Sequence, residues 1–111
     1  MSKQKAKGTA AETALLKYLQ DRGIFAVRNP LSGNKDKGDI STYGENRFTI
    51  EVKNVRKMEL STWLDELLVE QKNADTEFGV VVHKRIRKGN PAEWYCTMTV
   101  EQLARLIELL S

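Results

Sequence analysis

The sequence predicts an α/β fold in which a mixed β-sheet of about five strands is flanked by helices, in the order α-β-β-β-α-β-β-α. Three stretches space their apolar residues as amphipathic helices do, at the start, the middle and the end of the chain. Between them lie short segments that alternate in polarity or are continuously apolar, as strands do. The 111 residues, 41% of them hydrophobic, are enough for one compact domain with a modest core.

The composition indicates the cellular setting and the domain organisation. Cys96 is the single cysteine, which excludes an internal disulfide and a cysteine-rich zinc site. The sequence has no apolar run of membrane length and no hydrophobic signal segment near Met1, so a reducing cytoplasm is the expected location. Residues 1–8, which include three lysines, are predicted to form a flexible basic arm, and residues 9–111 a single domain.

The first helix is predicted to begin at Thr9 and to end at Gly23. Thr9 and Glu12 have the Thr-x-x-Glu spacing of a capping box, which favours a structural role for Glu12. The alternative is that Glu12 is a third acidic group that reaches the carboxylates of the hairpin that follows. The apolar stripe has helical spacing and comprises Ala11, Ala14, Leu15, Tyr18 and Leu19.

A strand predicted over residues 24–28 is followed by a long loop over residues 29–38. The loop is rich in turn-forming residues, carries Lys35 and Lys37, and leads to an aspartate. A flexible basic loop beside paired carboxylates suits a DNA backbone that passes over a metal. Ser32 could hydrogen-bond a phosphate, although a serine in such a loop more often serves the turn itself.

A β-hairpin that starts near Asp39 and ends at Lys53 carries the most informative residues. Glu51 and Lys53 share one face of its second strand, roughly 6 to 7 Å apart. The turn at residues 43–46 would bring Asp39 back beside Glu51. The alternation on which this rests places Phe48, Ile50 and Val52 on one face and Thr49, Glu51 and Lys53 on the other.

Two carboxylates and a lysine that converge in this way have a specific chemical use. Neighbouring carboxylates raise each other's proton affinity unless a cation lies between them, and Mg²⁺ is typically held by one or two carboxylates, waters and a substrate phosphate. A bound metal activates water, and a lysine beside it can position that water or neutralise the transition state. The alternative interpretation of Glu51-Val52-Lys53 is a solvated strand face with a lateral ion pair.

A second helix is predicted from about Leu60 to Ala74. Gln71 is the next position on its apolar stripe, so this amide lies either at the wet end of the face or buried with hydrogen-bond partners. A metal-bound water, the lysine of the hairpin or a phosphate could supply those partners. The stripe itself comprises Leu60, Trp63, Leu64, Leu67 and Leu68.

The last third of the chain predicts two strands and a helix. Residues 78–82 are continuously apolar, as in a central strand covered on both faces. His83 is expected to be structural or exposed, and Trp94 and Tyr95 of the strand over residues 93–97 are expected to belong to the core more often than to stack on a base. A capping box over Thr99-Val100-Glu101-Gln102 begins the final helix, whose stripe is expected to face inward and comprises Val100, Leu103, Ala104, Ile107 and Leu110.

Positive charge is concentrated in two parts of the chain. Residues 1–57 hold twelve Lys and Arg against six Asp and Glu, and residues 84–88 hold four basic residues, although the net charge of the whole chain is only +3. Such patches attract polyphosphate, but they could also serve solubility alone. The residues predicted to contact a DNA backbone are Ser32, Lys35, Lys37, Arg56, Lys57, Arg85 and Arg87.

The motifs and the order of elements resemble the PD-(D/E)xK nuclease superfamily. Residues 8–53 look most like archaeal-type Holliday junction resolvases and related phage nucleases. Gly38 stands where the proline of the motif name would be. The resemblance implies a restriction-endonuclease-like core, and it rests on Lys7-Gly8-Thr9, Glu12, Arg28-Asn29-Pro30-Leu31-Ser32-Gly33, Asp39 and Glu51-Val52-Lys53.

The resemblance also implies a role for each matching residue. Lys53 would assist the attacking water, and Gln71 would match the polar residue of the helix after the motif. The implied metal is Mg²⁺, for which Mn²⁺ can substitute. The implied catalytic residues are Glu12, Asp39, Glu51, Lys53 and Gln71, and the implied metal ligands are Asp39, Glu51, Val52 through its carbonyl, and Glu12.

The function expected from these observations is metal-dependent, structure-selective cleavage of DNA. A resolvase makes two coordinated cuts, so a homodimer is expected, with no membrane partner. The short chain would suit a phage gene product that acts in the host cytoplasm. One alternative is a nicking, repair or restriction-type endonuclease of the same fold. The other is a DNA-binding module without catalysis, which the intact Asp39, Glu51 and Lys53 disfavour.

Overall fold

The computed structural model describes residues 3–30 and 35–111 and shows the predicted α/β fold. The order of elements is the predicted one, with a single 3₁₀ turn at Pro91–Glu93 added before the last strand. In the described ranges, no helix is long and apolar enough to cross a membrane. The helices are α1 (Lys3–Asp21), α2 (Leu60–Ala74) and α3 (Val100–Leu110), and the strands are β1 (Ala26–Arg28), β2 (Ile40–Thr42), β3 (Phe48–Lys53), β4 (Phe78–His83) and β5 (Tyr95–Thr97).

The five strands form one mixed sheet in sequence order, β1-β2-β3-β4-β5. Neighbours are antiparallel except β3 and β4, which run parallel with Glu51 opposite Val81. A parallel pair needs a crossover connection, and α2 supplies it. Every residue of β4 is buried, which confirms the prediction of a central strand.

The predicted alternation of β3 is confirmed by the way the two faces of the sheet are covered. Ile50 and Val52 belong to a core that α1 covers with Ala11 and Leu15. On the opposite face α2 packs Trp63 and Leu67 against Val81. Because Glu51 is paired with Val81, the acidic side chain lies on the α2 face of the sheet.

Helix α1 begins at Lys3, six residues before the predicted start at Thr9. The lysines, glutamine and alanine before Gly8 are good helix formers, so the helix runs through this glycine. A capping box belongs to the first turn of a helix, so the one predicted at Thr9 and Glu12 is wrong. The division into an arm over residues 1–8 and a domain over residues 9–111 stays a prediction. Gly23, at φ 81°, ends the helix as predicted.

The face that α2 buries differs from the predicted one. Leu60 and Leu68 were expected on the buried stripe but are 37% and 50% exposed. The buried face instead includes polar residues in the second half of the helix, because the sheet beneath α2 extends that far. The residues buried on α2 are Trp63, Leu67, Glu70, Gln71 and Ala74.

Helix α3 turns its apolar stripe outward, which contradicts the prediction that this stripe faces the core. Val100 and Leu110 are 79% and 83% exposed, and Leu103, Ala104 and Ile107 are exposed as well. Within Val100–Leu110, all of which the structure describes, Gln102 is the buried residue. Periodicity shows which side chains share a helix face, but it does not show which face contacts the domain.

Candidate active site

The β2–β3 hairpin positions Asp39 against the middle of the Glu51-Val52-Lys53 triplet. The Asp39 N–H donates to the Ile50 carbonyl at 3.0 Å, one residue beyond the β2–β3 ladder. The Asp39 Oδ2 atom then accepts a hydrogen bond from the Val52 N–H at 2.8 Å. This carboxylate therefore continues the pairing of β3 past the end of β2. The N–H and C=O of one strand residue point to the same side, so the Val52 carbonyl is turned toward Asp39 as well.

Glu51 and Lys53 project together from β3, as the alternation predicted. The Lys53 Nζ atom lies 3.6 Å from Glu51 Oε2 and 5.7 Å from the centre of the Trp63 ring. Glu51 is buried, and the side chain of Lys53 is half-buried between the carboxylate and the indole. The ammonium group is therefore fixed beside the carboxylate but still reaches solvent.

Glu12 approaches the same place from α1. Its Oε1 atom lies 3.6 Å from Nε of Arg28, and it lines a cleft together with Asp39 and Glu51. The capping box is absent, and Glu12 lies at this cleft beside the other acids, whereas its role as a third acid of a metal site stays a prediction. Arg28 is held in turn by its hydrogen bond to Thr13 Oγ1 at 2.7 Å.

Two further acids, which sequence reasoning missed, complete the acidic cluster. Carboxylate oxygens of Asp36, Glu51 and Glu70 lie within 4.8 Å of one another. A signal for Glu70 was available, because it falls seven residues after Trp63 and three after Leu67, on the face that α2 buries. Asp36 gave no such signal, because its place depends on the path of the long loop.

Burial and mutual repulsion raise the pKa of four acids around this cleft: Glu12, Asp39, Glu51 and Glu70. The pKa of Asp39 is raised by burial, against the opposing effect of its hydrogen bond from Val52. Burial and then the charge of Asp39 raise the pKa of Glu51, although Lys53 opposes them. Burial and the charge of Glu51 raise the pKa of Glu70, and burial and the charge of Asp39 raise that of Glu12. A cation among these groups would relieve all four shifts.

The residues fit a hard divalent cation. The donor set consists of carboxylate oxygens, which Mg²⁺ and Mn²⁺ prefer. The Oε1 atom of Glu70 is buried and has no hydrogen-bond partner among the described residues. The cleft is open and has a volume of about 790 Å³, and its lining consists of Thr9, Glu12, Arg28, Asn29, Pro30, Lys35, Asp36, Gly38, Asp39 and Glu51.

Comparison with known protein families shows to which family the chain belongs. The family model described as archaeal Holliday junction resolvase (Hjc) matches residues 3–91. The chain belongs to the Hjc family. Hjc proteins are members of the restriction-endonuclease-like PD-(D/E)xK superfamily, so the resemblance found in residues 8–53 is confirmed and extends through β4. A comparison with individual curated proteins found no match.

Membership of the Hjc family identifies a nuclease, a hydrolase that acts on DNA, of the Holliday junction resolvase type. The matched segment includes α1, the hairpin and α2, and so all the acids of the cleft. It ends before β5 and α3. The family implies that the protein binds DNA and that its substrate is a branched junction.

Gln71, which the resemblance placed in the catalytic set, is buried in a pair with Gln102. The two amides exchange hydrogen bonds of 3.3 Å, and Gln102 Oε1 also accepts from the Gly79 N–H at 2.6 Å. Gln71 lies directly over Gly79, where a Cβ would collide with it. These contacts favour a structural role, and a catalytic role for Gln71 stays a prediction. Sequence reasoning missed Gln102, which it treated only as part of a capping box.

That predicted capping box at the start of α3 forms in part. Thr99 Oγ1 accepts a hydrogen bond from the Gln102 N–H at 3.3 Å, as predicted. The Gln102 side chain does not complete the box, because it is engaged with Gln71 and Gly79.

The predicted DNA-contacting residues fall into two groups. Arg56, Arg85 and Arg87 line a groove of about 820 Å³ on the β5 side, together with Lys7 and Lys84. Tyr95 is exposed and lines the same groove, so its expected place in the core is wrong. Trp94 packs against the core as predicted. The buried His83 is structural and shares a hydrogen bond of 2.8 Å with Thr97.

The second group lies near the acidic cleft. Lys35 lines that cleft, and Lys35 and Lys37 also line a smaller adjoining pocket with Arg47. Lys57 forms an exposed ion pair of 3.7 Å with Glu59. Ser32 lies outside the described residues. The contacts of all these residues with DNA stay predictions.

Proposed function

We propose that this protein is a Mg²⁺-dependent endodeoxyribonuclease that cuts four-way DNA junctions, with Mn²⁺ able to substitute. The observation that carries the proposal is the meeting of Glu12, Asp39 and Glu51 at one open cleft, with the Lys53 ammonium group 3.6 Å from Glu51. The elements that bring them there are α1, the start of β2 and the end of β3. The Hjc match supports the substrate class, and the acidic donor set supports the metal.

Asp39, Glu51 and the Val52 carbonyl would hold the metal, with Glu12 facing it from α1. When bound, Mg²⁺ lowers the pKa of water and offsets the negative charge that develops on a phosphodiester. Asp39 is kept in place by the Val52 N–H at 2.8 Å, so its free oxygen can serve the cation without rearrangement of the hairpin. Such fixed geometry lowers the cost of reorganisation during the reaction.

Lys53 contributes a positive charge at the edge of the cleft. Its ammonium group lies 3.6 Å from Glu51 and stacks over Trp63, which limits its motion. In this position it can donate to a scissile phosphate oxygen or to the attacking water, and so stabilise the added negative charge. Lysine suits this role because its ammonium group is a compact positive charge with three N–H donors.

Recognition of the junction would depend on shape and charge. The basic groove with Arg56, Arg85 and Arg87 would hold one duplex arm, while Lys35 and Lys37 hold the backbone near the cleft. Contacts of this kind position DNA without reading its bases. Lys57, which is paired with Glu59, would contribute less.

The outward apolar face of α3 would form the homodimer interface that two coordinated cuts require. A stripe with Val100, Leu103, Ile107 and Leu110 is exposed along α3. Monomeric proteins seldom expose a contiguous apolar patch without an interaction partner. A second copy of the chain would bury this stripe against itself about a two-fold axis.

The decisive experiment compares cleavage of a synthetic four-way junction with cleavage of flap, nicked and linear DNA, in Mg²⁺ and in EDTA. Wild type and Glu51→Gln are tested side by side. Paired nicks in the junction that need Mg²⁺ and are lost in Glu51→Gln support the proposal. Cleavage of nicked or linear DNA alone would replace it with the nicking, repair or restriction-type alternative. Tight binding without any cleavage would indicate a non-catalytic DNA-binding module.

A further inference from the structure

Glu70 is a buried acid on α2 that the reaction described above does not use. It is 4% exposed, and its Oε1 atom has no hydrogen-bond partner among the described residues. Carboxylate oxygens of two other acids, Glu51 and Asp36, lie within 4.8 Å of its own carboxylate. A buried carboxylate normally has a basic partner, a set of N–H donors or a metal.

The geometry around Glu70 fits one shared cation. The oxygens of Asp36, Glu51 and Glu70 lie within 4.8 Å of one another. Metal–oxygen bonds of about 2.1 to 2.4 Å place two ligands of one ion at most roughly 4.2 to 4.8 Å apart. The three carboxylates can therefore reach a common ion with little movement, and the exposed side of Asp36 leaves room for water or a phosphate oxygen.

Too little positive charge surrounds the three acids, and a bound cation would supply it. Lys53 is within ion-pair distance of Glu51 at 3.6 Å. Among the side chains that the structure describes, those of residues 6–30 and 35–111, no basic group forms an ion pair with Asp36 or Glu70. One ammonium group therefore faces three carboxylates.

Two hydrogen bonds, each between a backbone group and a side chain, fix the position of Asp36 beside α2. The Gly38 N–H donates to Asp36 Oδ1 at 2.8 Å, and Asn73 Nδ2 donates to the Asp36 carbonyl at 2.8 Å. Gly38 has φ 83°, and a Cβ there would meet Thr49 Cγ2 at 2.6 Å, so glycine lets the loop pass this close to β3. The loop end and the helix that supply two of the three ligands are thus joined before any ion binds.

We propose that Asp36, Glu51 and Glu70 bind a divalent cation on the α2 side of β3. Glu51 is shared between this ion and the Asp39 side of the cleft. The inference deepens the proposed function, on which it rests, by adding two ligands from outside the PD-(D/E)xK motif. Two metal ions bridged by one carboxylate, about 3.5 to 4 Å apart, can bind both the attacking and the leaving oxygen of a phosphodiester.

The test is a Mn²⁺ titration of the full chain without DNA, followed by electron paramagnetic resonance of the free ion. The variants are Glu70→Gln and Asp36→Asn, both of which keep the shape of the side chain. Asp36→Asn also keeps the Oδ1 atom that accepts a hydrogen bond from the Gly38 N–H. Glu66→Gln, an exposed acid on the same helix, is the matched control. Circular dichroism and thermal melting establish that each variant is folded.

We expect both site variants to lose one bound Mn²⁺, or to bind it at least about tenfold more weakly, while Glu66→Gln binds like wild type. Isotherms of Glu70→Gln and Asp36→Asn that coincide with wild type would overturn the inference. If the wild type still cuts junctions in Mn²⁺, the proposed function survives that result. A wild type that neither binds Mn²⁺ nor cuts any DNA would overturn both.

Discussion

The carboxylate of Asp39 accepts a hydrogen bond from the backbone N–H of Val52 at 2.8 Å. Val52 lies between Glu51 and Lys53, so one acid of the cleft is tied directly to the strand that carries the other acid and the lysine. The bond also satisfies the Val52 N–H, which has no backbone partner in β2 because the β2–β3 pairing ends at Ile40 and Ile50. Asp39 thus serves both the hairpin and the cleft, and a substitution can separate the two roles.

Asp39→Asn should separate them, because asparagine keeps an oxygen for the Val52 N–H but loses the charge. We expect the rate of junction cleavage to fall by at least about 100-fold. Loss of a residue that merely hydrogen-bonds to a metal ligand lowers activity about 10- to 100-fold, and loss of the ligand itself should have a larger effect. The melting temperature should stay the same or rise, because burial already raises the pKa of Asp39 and so disfavours its charged form. Single-turnover cleavage and thermal melting measure the two effects. Wild-type activity in this variant would refute the assignment of Asp39 as a ligand.

The stability of the protein in EDTA should depend on pH through Glu51. Its pKa is raised by burial and by Asp39, so the folded state holds this proton more tightly than the unfolded state. The stabilisation is therefore complete below the ordinary carboxyl pKa, at about pH 4, and is lost as the pH rises through the raised value.

Melting curves between pH 4.5 and pH 8 measure this effect. Wild type should lose more stability across that range than Glu51→Gln, and Mg²⁺ should restore the loss at the upper end. The comparison with the variant is needed because the lowered pKa of the buried His83 acts in the opposite direction. Parallel curves for wild type and Glu51→Gln would contradict the prediction.

The basic groove should bind DNA through charge alone. Arg56→Gln combined with Arg87→Gln should weaken junction binding to a similar degree for all sequences. The slope of log K against log salt should also fall, by about 1 for each DNA phosphate that the variant no longer neutralises. Lys72→Gln, an exposed lysine on α2, is the control. Fluorescence anisotropy at several salt concentrations gives the slopes, and an unchanged slope in the double variant would place the DNA elsewhere.

The α3 stripe should control oligomeric state. Leu103→Glu with Ile107→Glu should convert a dimer to a folded monomer, because both side chains are already exposed in the single chain. Val69→Glu, at an exposed apolar position of α2, is a matched control. Analytical ultracentrifugation measures the mass. A wild type that is monomeric at all concentrations, and yet makes paired cuts, would exclude α3 as a dimer interface.

The buried amide pair should matter for stability rather than chemistry. Gln102→Leu removes the acceptor of the Gly79 N–H and the partner of Gln71, and leaves both buried without those bonds. The expected loss is about 1 to 3 kcal/mol in the free energy of unfolding. Urea unfolding measures it, and cleavage per folded molecule should stay close to wild type. A large loss of activity at unchanged stability would instead support the catalytic role predicted for Gln71.

The parts of the site that local patterns determine were predictable from the sequence. The alternation of β3 and the turn at residues 43–46 were enough to place Glu51, Lys53 and Asp39 together. Glu70 was missed, although it shares a helix face with Trp63 and Leu67, because the sequence does not show how far along α2 the sheet extends. Local rules of this kind do not include the extent of a neighbouring element.

The long-range features were the ones that the sequence did not predict. Asp36 is held at the cleft in part by Asn73, 37 residues later, which donates to its carbonyl. The direction of α3 depends on Gln102, whose side chain is bound by groups on α2 and β4. Both outcomes follow from contacts between distant residues, about which periodicity gives no information.

Helix α3 is fastened to the rest of the chain largely through polar side chains: Gln102 on Gln71 and Gly79, and Arg105 on the Glu77 carbonyl and the Phe78 ring. It also lies beyond residues 3–91, where the Hjc match ends. If two copies meet through this helix, the separation and angle of their catalytic clefts are set by a part that can be replaced without touching the acids. Exchanging α3 between relatives would then retune the spacing of the two incisions while leaving the chemistry of each unchanged.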